Sequence, residues 1–138
     1  MNLKNIFIYK DLIKFPGTAI HINNEYSIIK LLLGEELVDK SKKDEYIVVN
    51  NVNFYGLKGK CILFFKNQLL NKIKIQLDKK LYNPYIKMED LVKQVSKENN
   101  TQLSSETKLK NKNFYLFDSL VIITHEEETM YSVIIKQR

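Results

Sequence analysis

The chain offers few side chains able to do chemistry. It has two histidines, His21 and His125, and one cysteine, Cys61. His125 stands directly before Glu126, Glu127 and Glu128. An imidazole beside carboxylates is the composition of a metal site or a general base. The spacing matches no ligand motif, however, and three successive acids in a hairpin are ordinary for a solvated turn. His21 lies in a strand-like stretch, and Glu35-Glu36 follow a helix end. There is no Gly-x-Ser-x-Gly elbow, no phosphate-binding glycine loop and no His-Glu-x-x-His. Cys61 opens the apolar run Cys61-Ile62-Leu63-Phe64-Phe65, where a buried, inert thiol is expected. A lone cysteine forms no internal disulfide and builds no cysteine-based zinc site. The expectation is a protein that is not an enzyme and needs no metal or cofactor.

Charge is the stronger signal. The net charge is +6, and Arg138 is the only arginine. Seven lysines fall between Lys58 and Lys80, against the single acid Asp78. Such a cluster steers an acidic partner and raises its on-rate more than its affinity. It could also meet phosphates. Nucleic-acid readers lean on the planar fork of arginine, which lysine does not copy. An AT-rich coding sequence would also favour Lys, Asn and Ile without any functional cause.

The elements that must position these residues follow from periodicity. Asn5 to Phe15 is apolar and ambiguous between strand and helix. Pro16-Gly17 signals a turn, and Thr18 to Ile22 reads as a short strand. Asn23 and Asn24 are N-cap candidates for a helix with Tyr26, Ile29, Leu32 and Leu33 on one face and Gly34 as C-cap. Asp39 to Asp44 reads as a charged loop. Tyr46 to Tyr55 is a long strand with a bulge or bend at Asn50-Asn51. Gly56 to Gly59 connects it to a strand over Lys60 to Lys66. Asn67-Gln68 then turns into Leu69 to Leu77, where Ile73, Ile75 and Leu77 alternate with Lys72, Lys74 and Gln76. Asp78 to Asn83 is a link. Pro84 opens a second helix carrying Tyr85, Met88, Leu91, Val92 and Val95, which ends at Asn99-Asn100. Ser104 to Lys112 reads as a polar loop. Phe114 to Phe117, Leu120 to Thr124 and Met130 to Lys136 read as three strands.

The two halves echo one another. Asn53-Phe54-Tyr55 recurs as Asn113-Phe114-Tyr115, Asn24-x-Tyr26 as Asn83-x-Tyr85, and Lys74-Ile75-Gln76 is matched by Ile135-Lys136-Gln137. A shared offset of about sixty residues points to an internal duplication. The fold class expected is α+β: an antiparallel sheet with two helices on one face, built from two tandem α-β-β-β units. The domain organisation expected is a single domain over residues 1–138, with pseudo-repeats over 23–78 and 83–137 after an N-terminal segment, 1–22.

With helices on one face, the other is open. Alternation places Asn53, Tyr55, Lys60, Ile62, Phe64, Lys66, Lys72, Lys74 and Gln76 there from the first half. From the second it places Asn113, Tyr115, Ile122, Thr124, Ser132 and Lys136. A slip of one residue would reverse each assignment. Aromatic anchors among polar groups are the chemistry of a protein-binding hot spot. The expected partner-binding residues are Tyr55, Phe64, Lys72, Lys74 and Tyr115. Glu126, Glu127 and Glu128 form an alternative acidic patch.

A helix followed by an antiparallel meander, repeated in tandem from Asn24 to Arg138, resembles the layout of the beta-lactamase-inhibitor protein. A single unit resembles the small lipoproteins of the outer-membrane assembly machinery. This chain lacks the disulfides of the first group and the signal peptide of both. In type, a small single-domain Lys/Asn/Ile-rich chain without catalytic motifs resembles bacterial immunity proteins. That resemblance implies stoichiometric binding to one cognate toxin in contact-dependent competition, by plugging its active site or docking beside it. The competing expectations are nucleic-acid binding through a lysine-rich sheet face and a homodimer through the open face. Met1-Asn2-Leu3-Lys4 lacks the apolar stretch of a signal peptide, and no apolar run approaches bilayer length. A cytoplasmic location without membrane contact is the expectation.

Overall fold

The computed structural model describes residues 4–9, 12–34, 46–78, 97, 105–109, 112–116 and 120–137. In chain order these form β1 (Lys4–Tyr9), β2 (Leu12–Phe15), β3 (Thr18–His21), α1 (Tyr26–Leu33), β4 (Tyr46–Phe54), β5 (Leu57–Lys66), β6 (Leu69–Asp78), β7 (Ser105–Leu109), β8 (Lys112–Leu116), β9 (Leu120–Glu126) and β10 (Met130–Gln137). The described strands join in the order β3-β2-β1-β4-β5-β6-β10-β9-β8-β7.

This corrects the expected fold class. The described residues are mostly strand, with α1 as the single helix element among them, and the sheet is mixed because β1 runs parallel to β4. The ambiguous segment Asn5 to Phe15 supplies two strands. Ile6 and Ile8 alternate with exposed Asn5 and Phe7, which is sheet periodicity. Part of the polar stretch Ser104 to Lys112 is β7, at the end of the strand order and paired with β8. Hydrogen bonding to one neighbour is enough to make a polar edge strand, and apolar periodicity is not required. The helix expected after Pro84 lies outside the described residues.

Local chemistry sets the turns. Tyr55 and Gly56 both have positive φ, as do Asn67 and Gln68. That is the pattern of two-residue type I′ hairpins, whose twist matches the flanking strands. Pro16-Gly17, with Gly17 at φ 82°, turns β2 into β3. The register shifts between Val49 and Val52, and Asn51 takes φ 56°, so the bulge expected at Asn50-Asn51 is present. Gly34 ends α1 at φ 71°, its N–H donating to the Lys30 carbonyl. The helix start differs from expectation. Glu25 is the N-cap, without a side-chain bond, while Asn24 Oδ1 accepts from the His21 N–H at 2.9 Å. Leu32 is exposed, and Tyr26, Ile29 and Leu33 form the buried stripe.

The sheet curls back on itself. β3 stands five places from β6 in the strand order, yet the chain leaving β3 pairs with the start of β6. The Asn23 N–H donates to the Leu70 carbonyl, the Leu70 N–H to the Asn24 carbonyl and the Tyr26 N–H to the Gln68 carbonyl, each at 2.8 Å. Asn23 Nδ2 also reaches Gln137 Oε1 at 3.1 Å, at the end of β10. The curl creates an inner face. Ile6, Ile8, Ile13, Phe15, Ile20, Phe54, Leu57 and Leu63 fill it together with Tyr26, Ile29 and Leu33 of α1.

Two small features hold the inner layer in register. β1 pairs with β4 only from Lys4 to Ile6. Beyond this the Tyr55 hydroxyl takes the place of a strand, accepting from the Ile8 N–H at 3.1 Å and donating to the Ile8 carbonyl at 3.4 Å. Gly59 pairs with Leu77 across the antiparallel β5–β6 ladder, and a Cβ there would overlap the Gln76 carbonyl. Gly59→Ala is expected to lower stability by more than about 2 kcal/mol, read from urea unfolding, because a backbone ladder has to move. Tyr55→Phe, which keeps the ring contacts, is expected to cost about 1–2 kcal/mol in the same assay. An unchanged midpoint would refute the Tyr55 bridge.

Candidate functional site

Cross-strand register places residues on the outer face more reliably than alternation along one strand. One row runs Val48–Ile62–Lys74–Ile134–Ile123–Phe114 across β4, β5, β6, β10, β9 and β8. At a strand spacing of about 4.8 Å, its five gaps span about 24 Å. Next to it runs Tyr46–Phe64–Lys72–Lys136–Val121–Leu116, and on its other side Lys60–Gln76–Ser132–His125–Lys112. The surface is an aliphatic band with lysines on both flanks. Most of its apolar members are half-buried, and Val48 is buried without joining the inner core. α1, the described helix, packs its buried stripe with the inner core.

Of the expected binding residues, Phe64, Lys72 and Lys74 share this outer face. Lys72 Nζ sits 4.9 Å from the Phe64 ring centroid, a cation–π contact, and Tyr46 lies against the same ring at 6.3 Å. Tyr55 stands in the β4–β5 turn. Its ring meets Phe7 at 5.6 Å and Phe54 at 4.8 Å, both edge-on, and its hydroxyl is committed to Ile8. It is a joint of the scaffold more than an exposed anchor. Tyr115 lies on the inner face opposite Ile122 and is only 2% exposed, so it is not part of the outer surface. Asn113, Ile122 and Thr124 share its side, while Ser132 and Lys136 are on the outer side as expected.

The repeated triplet explains the error. Phe54 points inward in the first copy, whereas Tyr115 does so in the second. The two copies of Asn-Phe-Tyr therefore present opposite faces. Sequence reading missed Val48, Ile123, Ile134, Phe114 and His125 on the outer face. Val121, Ile122 and Ile123 are all apolar, so alternation alone gives no parity. The pairing of Ile123 with Ile134 supplies it.

The acidic turn is partly engaged. Glu127 Oε1 lies 3.4 Å from His125 Nδ1, and the Tyr131 hydroxyl lies 3.4 Å from Glu126 Oε1. His21 is exposed at the end of β3. Among the described residues, no group of three His, Cys, Asp or Glu side chains converges as a metal site would require. No described helix is long and apolar enough to cross a membrane. Comparison with family models, curated proteins and solved structures finds no match.

Two buried polar groups carry consequences. Cys61 is buried on the inner face, and burial pushes its thiol up from 9.0 to about 12. Folding raises this pKa, so the contribution of Cys61 to stability is fully present below pH 9. It is lost as pH climbs from there towards 12. Cys61 is expected to resist iodoacetamide in the folded protein and to react only in denaturant. Wild type should also lose stability more steeply than Cys61→Ala across that pH window. Ser132, 1% exposed, has an Oγ without a hydrogen-bond partner among the described residues. Removing an unsatisfied buried hydroxyl is favourable, so Ser132→Ala is expected to leave the melting temperature unchanged or to raise it. A clear fall would mean that the hydroxyl is bonded.

Proposed function

We propose that this chain is a stoichiometric protein-binding inhibitor, an immunity protein that neutralises a bacterial toxin domain by direct binding. The observation that carries the reading is the outer face of the sheet. It joins an aliphatic band to Phe64 and Tyr46, with lysines on its flanks, on a rigid hydrogen-bonded scaffold. Interfaces of specific complexes have this anatomy, an apolar centre within a polar rim, over roughly 800 Å² per partner. The immunity role itself rests on type: small size, a single domain and the lack of any catalytic motif. The proposed site of action is the cytoplasm, where a single reduced cysteine is at home.

Nucleic-acid binding is the second reading, favoured by the lysines. Two features count against it. Single-strand binders stack bases on free aromatic faces, and here Lys72 lies over the Phe64 ring. The centre of the face, at Ile62, Lys74 and Ile134, is aliphatic, and the aromatic side chains Tyr46, Phe64 and Phe114 lie in the flanking row or at the end of the central one.

The test is isolation of a 1:1 complex with the toxin domain that the chain protects against, followed by titration at rising salt. A packed interface should survive salt that strips counterion-driven nucleic-acid binding. Phe64→Ala is expected to cost about 2 kcal/mol or more of affinity, measured by calorimetry. Tyr115→Phe, on the inner face, should leave affinity unchanged. Undiminished binding by Phe64→Ala would move the interface elsewhere, with the acidic turn Glu126 to Glu128 as the next surface to test.

A further inference from the structure

We infer that the protein partner presents a carboxylate at the centre of its interface, set among aliphatic side chains, and that Lys74 receives it. This rests on the reading of the outer face as a protein-binding surface. Lys74 is the only charged residue in the aliphatic row. Ile62 stands directly opposite it on β5 and Ile134 on β10. It is half-buried, as is Lys72 over the Phe64 ring in the next row, whereas Lys60, Lys112 and Lys136 in the flanking rows are exposed. Asp78, four residues further along β6, is exposed at the strand end.

The physical argument concerns desolvation. A partner covering Ile62 and Ile134 also covers Lys74 and removes its water. A wholly apolar partner would strand the ammonium, which is strongly unfavourable. A partner with an anion at that point exchanges hydration for a charge-assisted hydrogen bond in a dry setting, where such pairs couple most strongly. The exposed rim lysines, Lys60, Lys112 and Lys136, remain in water on docking and guide approach more than they hold. Ile62 and Ile134, which stand directly opposite Lys74 on either side, offer a base no ring to stack on, and this favours a carboxylate from a protein over a phosphate from nucleic acid. Lys74 therefore selects as well as attracts, since a surface lacking the anion is penalised.

The inference can be tested before the natural partner is in hand. A randomised peptide library displayed on phage is selected against the folded full chain, and enriched peptides are titrated against Lys74→Met, Lys74→Gln and Lys112→Met. Thermal melts confirm that the variants fold. Enriched peptides should carry Asp or Glu within an Ile/Leu/Val-rich segment. They should lose roughly 10- to 100-fold in affinity towards both Lys74 variants and less than about threefold towards Lys112→Met. Peptides without an acid, or binding the Lys74 variants equally well, overturn the carboxylate assignment. If those peptides are still abolished by Ile62→Asp, the outer face stands as a protein-binding surface. Failure to enrich any peptide overturns both, as does enrichment that only ever maps off the outer face. Binding of a thymidine oligonucleotide or of phosphatidylserine vesicles in place of peptides also overturns both.

Discussion

The structure depends on the closure of its sheet. Main-chain hydrogen bonds between the segment after β3 and the start of β6 bring one end of the strand order back across the inner face. Each such bond contributes only about 1 kcal/mol net, so the closure is not itself the main source of stability. Its effect is geometric. It turns an open sheet into one with an inside, where Ile6, Ile8, Ile13, Ile20 and Ile29 become a common core. Burial of that core is the dominant favourable term. The hydrogen bonds decide which side chains share in it.

The same closure defines the outer face by exclusion. Among the described residues, β1 to β3 and α1 belong to the inner side, and the opposite side of β4, β5, β6, β10, β9 and β8 forms a broad second face on which Val48 and Ser132 are buried. The antiparallel junction of β6 with β10 makes it continuous, joining two meanders that are distant in sequence. Lys74 and Ile134 meet at that junction, so the centre of the surface belongs to neither half alone. Among the described residues, charge on this face is nearly all positive, which would repel a second copy of the same face. A heterologous acidic partner is the better electrostatic match.

Much of the architecture is legible along the chain. The hairpin β5–β6, its Asn67-Gln68 turn, the bulge at Asn51, the helix from Tyr26 and its Gly34 terminus all follow from local rules. So does the outward set Lys60, Ile62, Phe64, Lys72, Lys74 and Gln76, because Ile73, Ile75 and Leu77 alternate cleanly with polar neighbours. Where both parities are apolar, as in Val121-Ile122-Ile123, the rule has nothing to act on. The Asn-Phe-Tyr echo then suggested the wrong side for Tyr115. The two copies sit differently within their strands, one running into a hairpin turn and the other within β8.

Taken by itself, the sequence determined the local conformations, the buried and neutral state of Cys61, and the lysine excess between Lys58 and Lys80. These depend on neighbours a few residues away or on composition. Tertiary structure alone decided the parallel pairing of β1 with β4, the curl that closes on β6, the role of Tyr55 as a stand-in strand, and the aliphatic row around Lys74. Each of these joins segments far apart in the chain through backbone hydrogen bonds or cross-strand packing. The register of such pairings is set by the whole sheet, since moving one strand by a residue would exchange its inner and outer side chains.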